Sequence, residues 1–317
     1  MAESVAQRVR HSVTVKAPAE AVFALIADVE RWPYVFPPTV HAERLELTGS
    51  DERIRLWALA NGEVKTWTSR RNLDRDRLSV RFRQEITQPP VAAMGGEWVL
   101  EPRSERETLV VLHHDYRAVG DDPEGLRWIR QAVDRNSRAE LDRLRGAAEL
   151  DGGIEELTLS FDDSVRIRGA IGDVYAFLAD AARWPERLPH VARLELREDV
   201  AGIQEMEMDT RTADGTTHTT RSVRVCFPEH RIVYKQTVVP AAMAGHTGEW
   251  LLREQPDGTV LATSRHVVLV DRAGVAKVLG DQATVDEAKT IIRTALGKNS
   301  RTTLEHARTY AEERAHG

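Results

Sequence analysis

Val22-Phe23-Ala24-Leu25-Ile26-Ala27-Asp28-Val29-Glu30-Arg31-Trp32-Pro33 returns later in the chain as Val174-Tyr175-Ala176-Phe177-Leu178-Ala179-Asp180-Ala181-Ala182-Arg183-Trp184-Pro185. Trp184 follows Trp32 by 152 positions, and the same offset carries Gly96-Glu97-Trp98 onto Gly248-Glu249-Trp250 and His114 onto His266. Several anchors at one offset over so long a span mark an internal duplication. The 317 residues therefore read as two copies of one domain, 1–150 and 151–317, each near the usual domain size. Residues 149–161, interrupted by Asp151-Gly152-Gly153, are expected to link them. Any function must account for two related interiors.

Within each copy the patterning changes period in the same order. Ser12-Val13-Thr14-Val15-Lys16 and Ser164-Val165-Arg166-Ile167-Arg168 alternate, which predicts a strand. After Ala17-Pro18, apolar residues at Val22, Phe23, Leu25, Ile26 and Val29 have helical spacing, and Trp32-Pro33 is expected to stop that helix. Strands follow at 54–60, 65–73, 78–86, 97–100 and 109–116, with Asn61-Gly62 marking a tight turn. In the second copy Asp214-Gly215 and Asp257-Gly258 mark turns. Each copy ends in a long helical tract, 123–148 and 285–313, the latter with a break expected near Gly297. Antiparallel strands bury one face and wet the other. A curved sheet of this kind, wrapped on a long C-terminal helix, encloses a cavity. The fold class expected is α+β, two tandem helix-grip domains.

Composition excludes several classes of function. Hydrophobic residues make up 41% and charged residues 30%, as in a soluble globular protein. A formal net charge of −6 offers no general attraction to nucleic acid. No apolar run approaches a membrane span and the first residues have no signal core, so a cytoplasmic location is expected. One cysteine, Cys226, rules out an intrachain disulfide and a cysteine-rich metal site.

Strand parity selects the side chains that face the cavity. Val80, Phe82, Gln84 and Ile86 share a face and must point in, as must Ile232, Tyr234, Gln236 and Val238. Gln84 and Gln236 are then either core amides or ligand contacts. On 65–73, Trp67, Ser69, Arg71 and Leu73 share a face; pointing that face inward puts a guanidinium in an apolar interior, where a charge is costly unless paired or useful. The second copy repeats Ser222-Val223-Arg224, with Thr220 in place of Trp67. His113-His114-Asp115 is a poor chelate, because adjacent strand residues face opposite ways. His114 and His266 face in, as core histidines or as acid/base groups. Asn136-Ser137-Arg138 and Asn299-Ser300-Arg301 read as helix–sheet packing.

The Arg-Trp-Pro after the first helix, the Trp67-x-Ser69-x-Arg71 strand and Gly96-Glu97-Trp98 resemble polyketide aromatase/cyclases. These belong to the superfamily that includes START lipid-transfer and Bet v 1-like proteins. Because the unit is doubled, the chain is similar to the di-domain aromatase/cyclases of bacterial type II polyketide synthases. The resemblance implies a poly-β-ketone tethered to an acyl carrier protein, other synthase subunits as partners, and C7–C12 aldol closure of the first ring followed by dehydration to an aromatic ring. It makes Arg71 a functional residue.

Such a substrate cyclises unaided into mixtures, so the protein's task would be to choose which carbons meet. Trp32, Trp67, Phe82, Met94 and Trp98 are expected walls. Arg71 stays protonated and is expected to stabilise an enolate or alkoxide. Ser69 would position a water or relay a proton, and His114 or Tyr34 would serve the dehydration. Ser222, Arg224, Tyr234, Gln236 and His266 are the corresponding substrate contacts of the second copy. The chemistry needs no metal or organic cofactor. Two other readings stay open at this point: a hydrophobic-ligand carrier without catalysis, and a structural subunit of a synthase complex.

Overall fold

The structure, a computed structural model, describes residues 6–150, 153–211 and 215–316. Asp151-Gly152 and Asp214, parts of the expected linker and of one expected turn, lie outside the described residues. The chain divides into two compact units, Met1–Glu156 and Leu157–Gly317.

In the first unit, β1 (Gln7–Val15) leads into α1 (Ala19–Ala27) and a short α2 (Trp32–Val35). Six strands follow: β2 (Thr39–Thr48), β3 (Asp51–Ala60), β4 (Glu63–Asp74), β5 (Ser79–Ile86), β6 (Val91–Ser104) and β7 (Glu107–Ala118). They form one antiparallel sheet in the order β1-β7-β6-β5-β4-β3-β2. The helix α3 (Pro123–Ala148) closes the unit. It starts where Asp122 caps the amides of Glu124 and Gly125 and Pro123 takes the first turn. Its buried stripe, Ile129, Val133, Ser137, Leu141 and Leu144, has a helical period and faces the sheet.

The second unit repeats this plan after α4 (Gly153–Leu157). It comprises β8 (Thr158–Ile167), α5 (Ile171–Ala179), α6 (Trp184–Arg187), β9 (Val191–Val200), β10 (Ile203–Arg211), β11 (Thr217–Phe227), β12 (Arg231–Val238), β13 (Met243–Glu254) and β14 (Val260–Val270). Then come α7 (Arg272–Leu279) and α8 (Val285–Ala315). The strand order is the same, β8-β14-β13-β12-β11-β10-β9.

Several expectations are corrected. Trp32-Pro33 does not stop the first helix; Asp28 does, accepting from the Glu30 amide and turning the chain through Val29–Arg31, after which Trp32 and Pro33 open α2. The expected linker is shortened, because α4 and β8 take up residues from Gly153 onward. Helix α8 runs unbroken past Gly297, where an added Cβ would meet Arg293 Nη1 at 2.1 Å and Asp163 Oδ2 at 2.9 Å. That glycine leaves room for a part-buried ion pair rather than breaking the helix. Ile86 and Val238 point outward to solvent, 57% and 43% exposed, because each lies at the end of its strand beyond the pairing with the next. Strands β2 and β9 and helix α7 had not been foreseen: the edge strands are mostly charged and exposed after their first residues.

The repeated Gly-Glu-Trp has a steric reason. An added Cβ at Gly96 would lie 2.0 Å from the His113 carbonyl oxygen and 2.6 Å from the Phe82 ring; at Gly248 it would lie 2.4 Å from the Tyr234 hydroxyl. The glycine thus makes room for an aromatic side chain on the neighbouring strand, while Trp98 and Trp250 go to the core. Gly96→Ala is therefore expected to lower stability by about 1–3 kcal/mol, measured as a drop in denaturant midpoint at constant slope.

Candidate active site

Arg71 is inside the sheet, 3% exposed, and it is held on three sides. Its Nη2 donates to the Ile26 carbonyl at 2.8 Å, in the last turn of α1 where carbonyls lack helical partners. Its guanidinium lies over the Trp32 ring, 4.8 Å from the centroid. Its Nη1 is 3.1 Å from Oε1 of Glu52, directly opposite on β3, whose side chain is wholly buried. That contact has the distance of an ion pair but not the angle of a hydrogen bond, since both atoms remain without a hydrogen-bond partner. The other Glu52 oxygen accepts from Arg44 Nε at 2.9 Å. Burial lowers the Arg71 pKa to about 10 against the pull of Glu52, and the group stays cationic.

The second unit repeats two of these contacts and lacks the third. Arg224, 1% exposed, donates from Nη2 to the Leu178 carbonyl at 2.5 Å and lies 5.1 Å from the Trp184 centroid. The residue opposite it is Gln204, not a glutamate. Gln204 Nε2 is spent on the Ala179 carbonyl and on Glu198, and Arg224 Nε and Nη1 have no partner. Burial lowers the Arg224 pKa, opposed by Cys226, Tyr175, Glu198 and Tyr234.

Between the first sheet and α3 lies a cavity of about 130 Å³. Trp32, Leu56, Trp67 and Met94 supply its walls from the sheet side, and Trp128, Ile129 and Val133 from the helix. Gln84, His114, Asn136 and Ser137 are polar groups on its surface. Gln84 Nε2 reaches only Met94 Sδ, at 3.6 Å, whereas Asn136 is anchored to the Leu59 carbonyl at 2.8 Å. His114 Nδ1 is buried without a partner, and the Phe82 ring meets the imidazole edge-on at 5.4 Å. Burial, aided by His11, pushes the His114 pKa down to about 4, so the ring is neutral near pH 7.

Of the expected site residues, the structure brings Trp32, Trp67, Gln84, Met94 and His114 to this cavity. It does not bring Ser69, Arg71, Phe82, Trp98 or Tyr34. Ser69 is 2% exposed beside Arg71, Phe82 fills the space over Gly96, and Trp98 is in the core. Tyr34 sits on α2 in the field of Arg31, Asp28 and Glu155, and burial raises its pKa. Glu52, Trp128 and the cavity-facing Asn136 and Ser137 had been missed. The Asn-Ser pair shows in the sequence as a repeat, and the packing role expected of it leaves out its place on the cavity surface. His113 is exposed and Asp115 pairs with Arg83, so His113-His114-Asp115 splits across the sheet as parity requires.

Inside the second unit, Tyr234 hydroxyl and His246 Nε2 each lie 3.0 Å from His266 Nδ1, and Ser264 Oγ lies 3.1 Å from His266 Nε2. Phe161 stacks on His266 at 4.8 Å. Ser222 is buried opposite Gln236, whose Oε1 has no partner. Burial holds the His266 pKa at about 4, lowers that of His246 well below the ordinary imidazole range, and raises that of Tyr234.

Two family models described as polyketide cyclase / dehydrase and lipid transport match residues 6–149 and 170–288. The actinorhodin polyketide synthase bifunctional cyclase/dehydratase of Streptomyces coelicolor is 48% identical over 95% of this chain and 95% of its own. The chain belongs to the di-domain polyketide aromatase/cyclases. The granaticin bifunctional cyclase/dehydratase of Streptomyces violaceoruber is 46% identical over 95% of this chain and 93% of its own. Crystal structures of two di-domain ARO/CYC proteins superpose on most of the chain. BexL, from the BE-7585A pathway, gives a TM-score of 0.84 at 53% identity, covering 96% of this chain and 99% of its own. StfQ, from the steffimycin pathway, gives 0.83 at 36%, covering 98% and 100%. Like its relatives, this aromatase/cyclase is an enzyme, which sets aside the readings without catalysis. No helix among the described residues is long and apolar enough to cross a membrane.

Two predictions follow from the interior charges. Removing Arg71 from this aromatase/cyclase leaves Glu52 buried without its second cation, so Arg71→Ala is expected to cost about 3–5 kcal/mol in chemical denaturation. The buried histidines make the fold sensitive to acid. Below about pH 6.5 an unfolded chain's imidazoles gain protons, while His114 and His266 resist protonation until about pH 4. The unfolded state then binds more protons, so stability is complete above that window and falls as pH drops through it, by up to about 1.4 kcal/mol per pH unit per histidine. Melting curves from pH 7.5 to 4.5 measure this, and His114→Leu should make the fall shallower.

Proposed function

We propose that this aromatase/cyclase takes a poly-β-ketone carried on an acyl carrier protein, closes its first ring by a C7–C12 aldol reaction and removes water to give an aromatic ring. The observation that carries the reading is the unit-one cavity: aromatic and aliphatic walls around a neutral imidazole whose Nδ1 has no protein partner. Names borne by close relatives, cyclase/dehydratase of aromatic polyketide synthases, support the reaction class.

The chemistry needs little beyond shape. A methylene between two carbonyls loses a proton readily, so selectivity rests on which carbon is held against which carbonyl. The cavity is smaller than a usual ligand pocket of roughly 300–1,000 Å³. It suits the folding end of a chain, with the remainder leading out toward the carrier past Lys65, Gln88 and Pro89. Trp67 and Trp32 flatten the bend from one side and Trp128 and Ile129 from the other. His114 accepts a hydrogen bond from the enol hydroxyl or transfers its proton, and the Gln84 amide holds a neighbouring carbonyl. Arg71 acts through Trp32: it fixes the ring that forms the cavity's inner wall, while its charge is largely spent on Glu52. Arg71 is thus a positioning residue here.

His114→Leu is expected to keep the fold and to reduce the correctly closed product by about 10²-fold, with misfolded-chain cyclisation products rising in its place. Product profiling with a reconstituted synthase measures this. An unchanged profile would remove His114 from the reaction.

A further inference from the structure

We propose that the second unit carries its own catalytic site, in which Arg224 binds the carbonyl oxygen of a β-hydroxyketone and Tyr234, backed by His266, moves the proton that expels its hydroxyl as water. The inference rests on the polyketide reading above and gives the dehydration a place of its own.

Three observations support it. The first is the unsatisfied guanidinium. Arg224 Nε and Nη1 are buried donors with no acceptor, and its cross-strand neighbour is the amide Gln204, itself held by Ala179 and Glu198. Unpaired buried donors are costly to keep, and an enolate oxygen is the kind of ligand they suit. In the first unit the equivalent arginine faces Glu52 instead, so its charge is already answered.

The second is the position of Tyr234. It lies directly across the β11–β12 ladder from Arg224, with its ring against the apolar core and part of its surface still accessible. A ligand oxygen on Arg224 therefore puts the adjoining carbons beside the phenol.

The third is the hydrogen count at His266. His246 Nδ1 is buried without a partner, and a hydrogen there would be a stranded donor, so the proton belongs on Nε2. His266 Nδ1 then has one lone pair and two donors at 3.0 Å, His246 Nε2–H and the Tyr234 hydroxyl. Its other nitrogen donates to Ser264 Oγ at 3.1 Å. Only one donor can use the lone pair at a time. The Tyr234 hydroxyl rotates, so it takes that lone pair from His246 when it passes a proton and leaves it to His246 when it turns to a ligand.

The elimination balances through this one hydroxyl. The Tyr234 oxygen accepts the proton of the α-carbon as its own proton passes to His266 Nδ1, and the enolate oxygen rests on Arg224 Nε and Nη1. The imidazolium returns the proton through the same hydroxyl to the leaving oxygen. The β-carbon–oxygen bond breaks, the carbon–carbon double bond forms, and one water departs with the dyad restored. Beside its carboxylate-paired Arg71 the first unit keeps only His114, the counterpart of His266: at the 152-residue offset, Tyr234 corresponds to Phe82, His246 to Met94 and Ser264 to Leu112. Phe82 has no hydroxyl to relay a proton.

The test uses the full chain with a reconstituted synthase. Initial rates of the ring-closed hydrated intermediate and of the aromatic product are read by mass, which differs by one water. Tyr234→Phe is the decisive variant, because phenylalanine already fills this place over the glycine in the first unit. It should fold as the parent does and lower the aromatic-to-hydrated ratio by about 10²-fold, with Arg224→Gln lowering it comparably. An unchanged ratio in Tyr234→Phe overturns the proposal, even where Arg224→Gln fails to fold. A parallel fall of both species also overturns it, since the unit would then act before ring closure. A parent protein that yields no ring-closed species at all overturns the polyketide reading itself, and this site with it.

Discussion

A buried arginine clasped between a helix end and a tryptophan holds each unit together at the point where the first helix meets the sheet. In the first unit Arg71 joins the Ile26 carbonyl to the Trp32 ring, and in the second Arg224 joins Leu178 to Trp184. The two most conspicuous repeats in the chain, Trp-Pro and Ser-x-Arg, are therefore the two sides of one contact. The arginine satisfies a carbonyl that the helix leaves open, and the tryptophan covers its cationic face. In the first unit that fixed tryptophan becomes the inner wall of the cavity.

The duplication then diverges in electrostatics while keeping its geometry. A buried cation is tolerated when a carboxylate answers it, and removing one partner of such a pair is costly. Glu52 answers Arg71; Gln204 does not answer Arg224. The second interior thus stores the cost of an unsatisfied donor, the kind of local expense that folds carry at functional positions. Its Tyr234, His246, His266 and Ser264 add polar groups where the first interior has Phe82, Met94, His114 and Leu112. In the reaction proposed above, one scaffold holds a shape-selecting cavity in the first unit and a proton-moving cluster in the second.

The sequence was most informative where periodicity and burial agree. Strand parity put Gln84, Trp67 and His114 inward correctly, and α3 runs over the expected tract 123–148. It put Arg71 inside correctly too, but parity cannot tell a cavity wall from a core position, and Trp32 stands between Arg71 and the open space. Glu52 escaped notice because a charged residue on a charged strand gives no sign of burial until its partner across the ladder is known. Trp128, Asn136 and Ser137 were hidden for a related reason: a helix stripe records which face is covered, not where the covering sheet stands away from it. The strand ends at Ile86 and Val238 failed because parity persists beyond the residues that still have a neighbour.

In the proposed reaction a ring forms in the space between the first sheet and α3. A crystal structure of the full chain with a monocyclic phenol, the size of a single closed ring, tests it most directly. The phenol is expected between Trp67, Met94 and Trp128, with its oxygen in hydrogen-bond reach of His114 Nδ1 and the Arg71–Glu52 contact undisturbed. A phenol bound only on the outer face of the sheet, with the cavity closed around its own side chains, would contradict it.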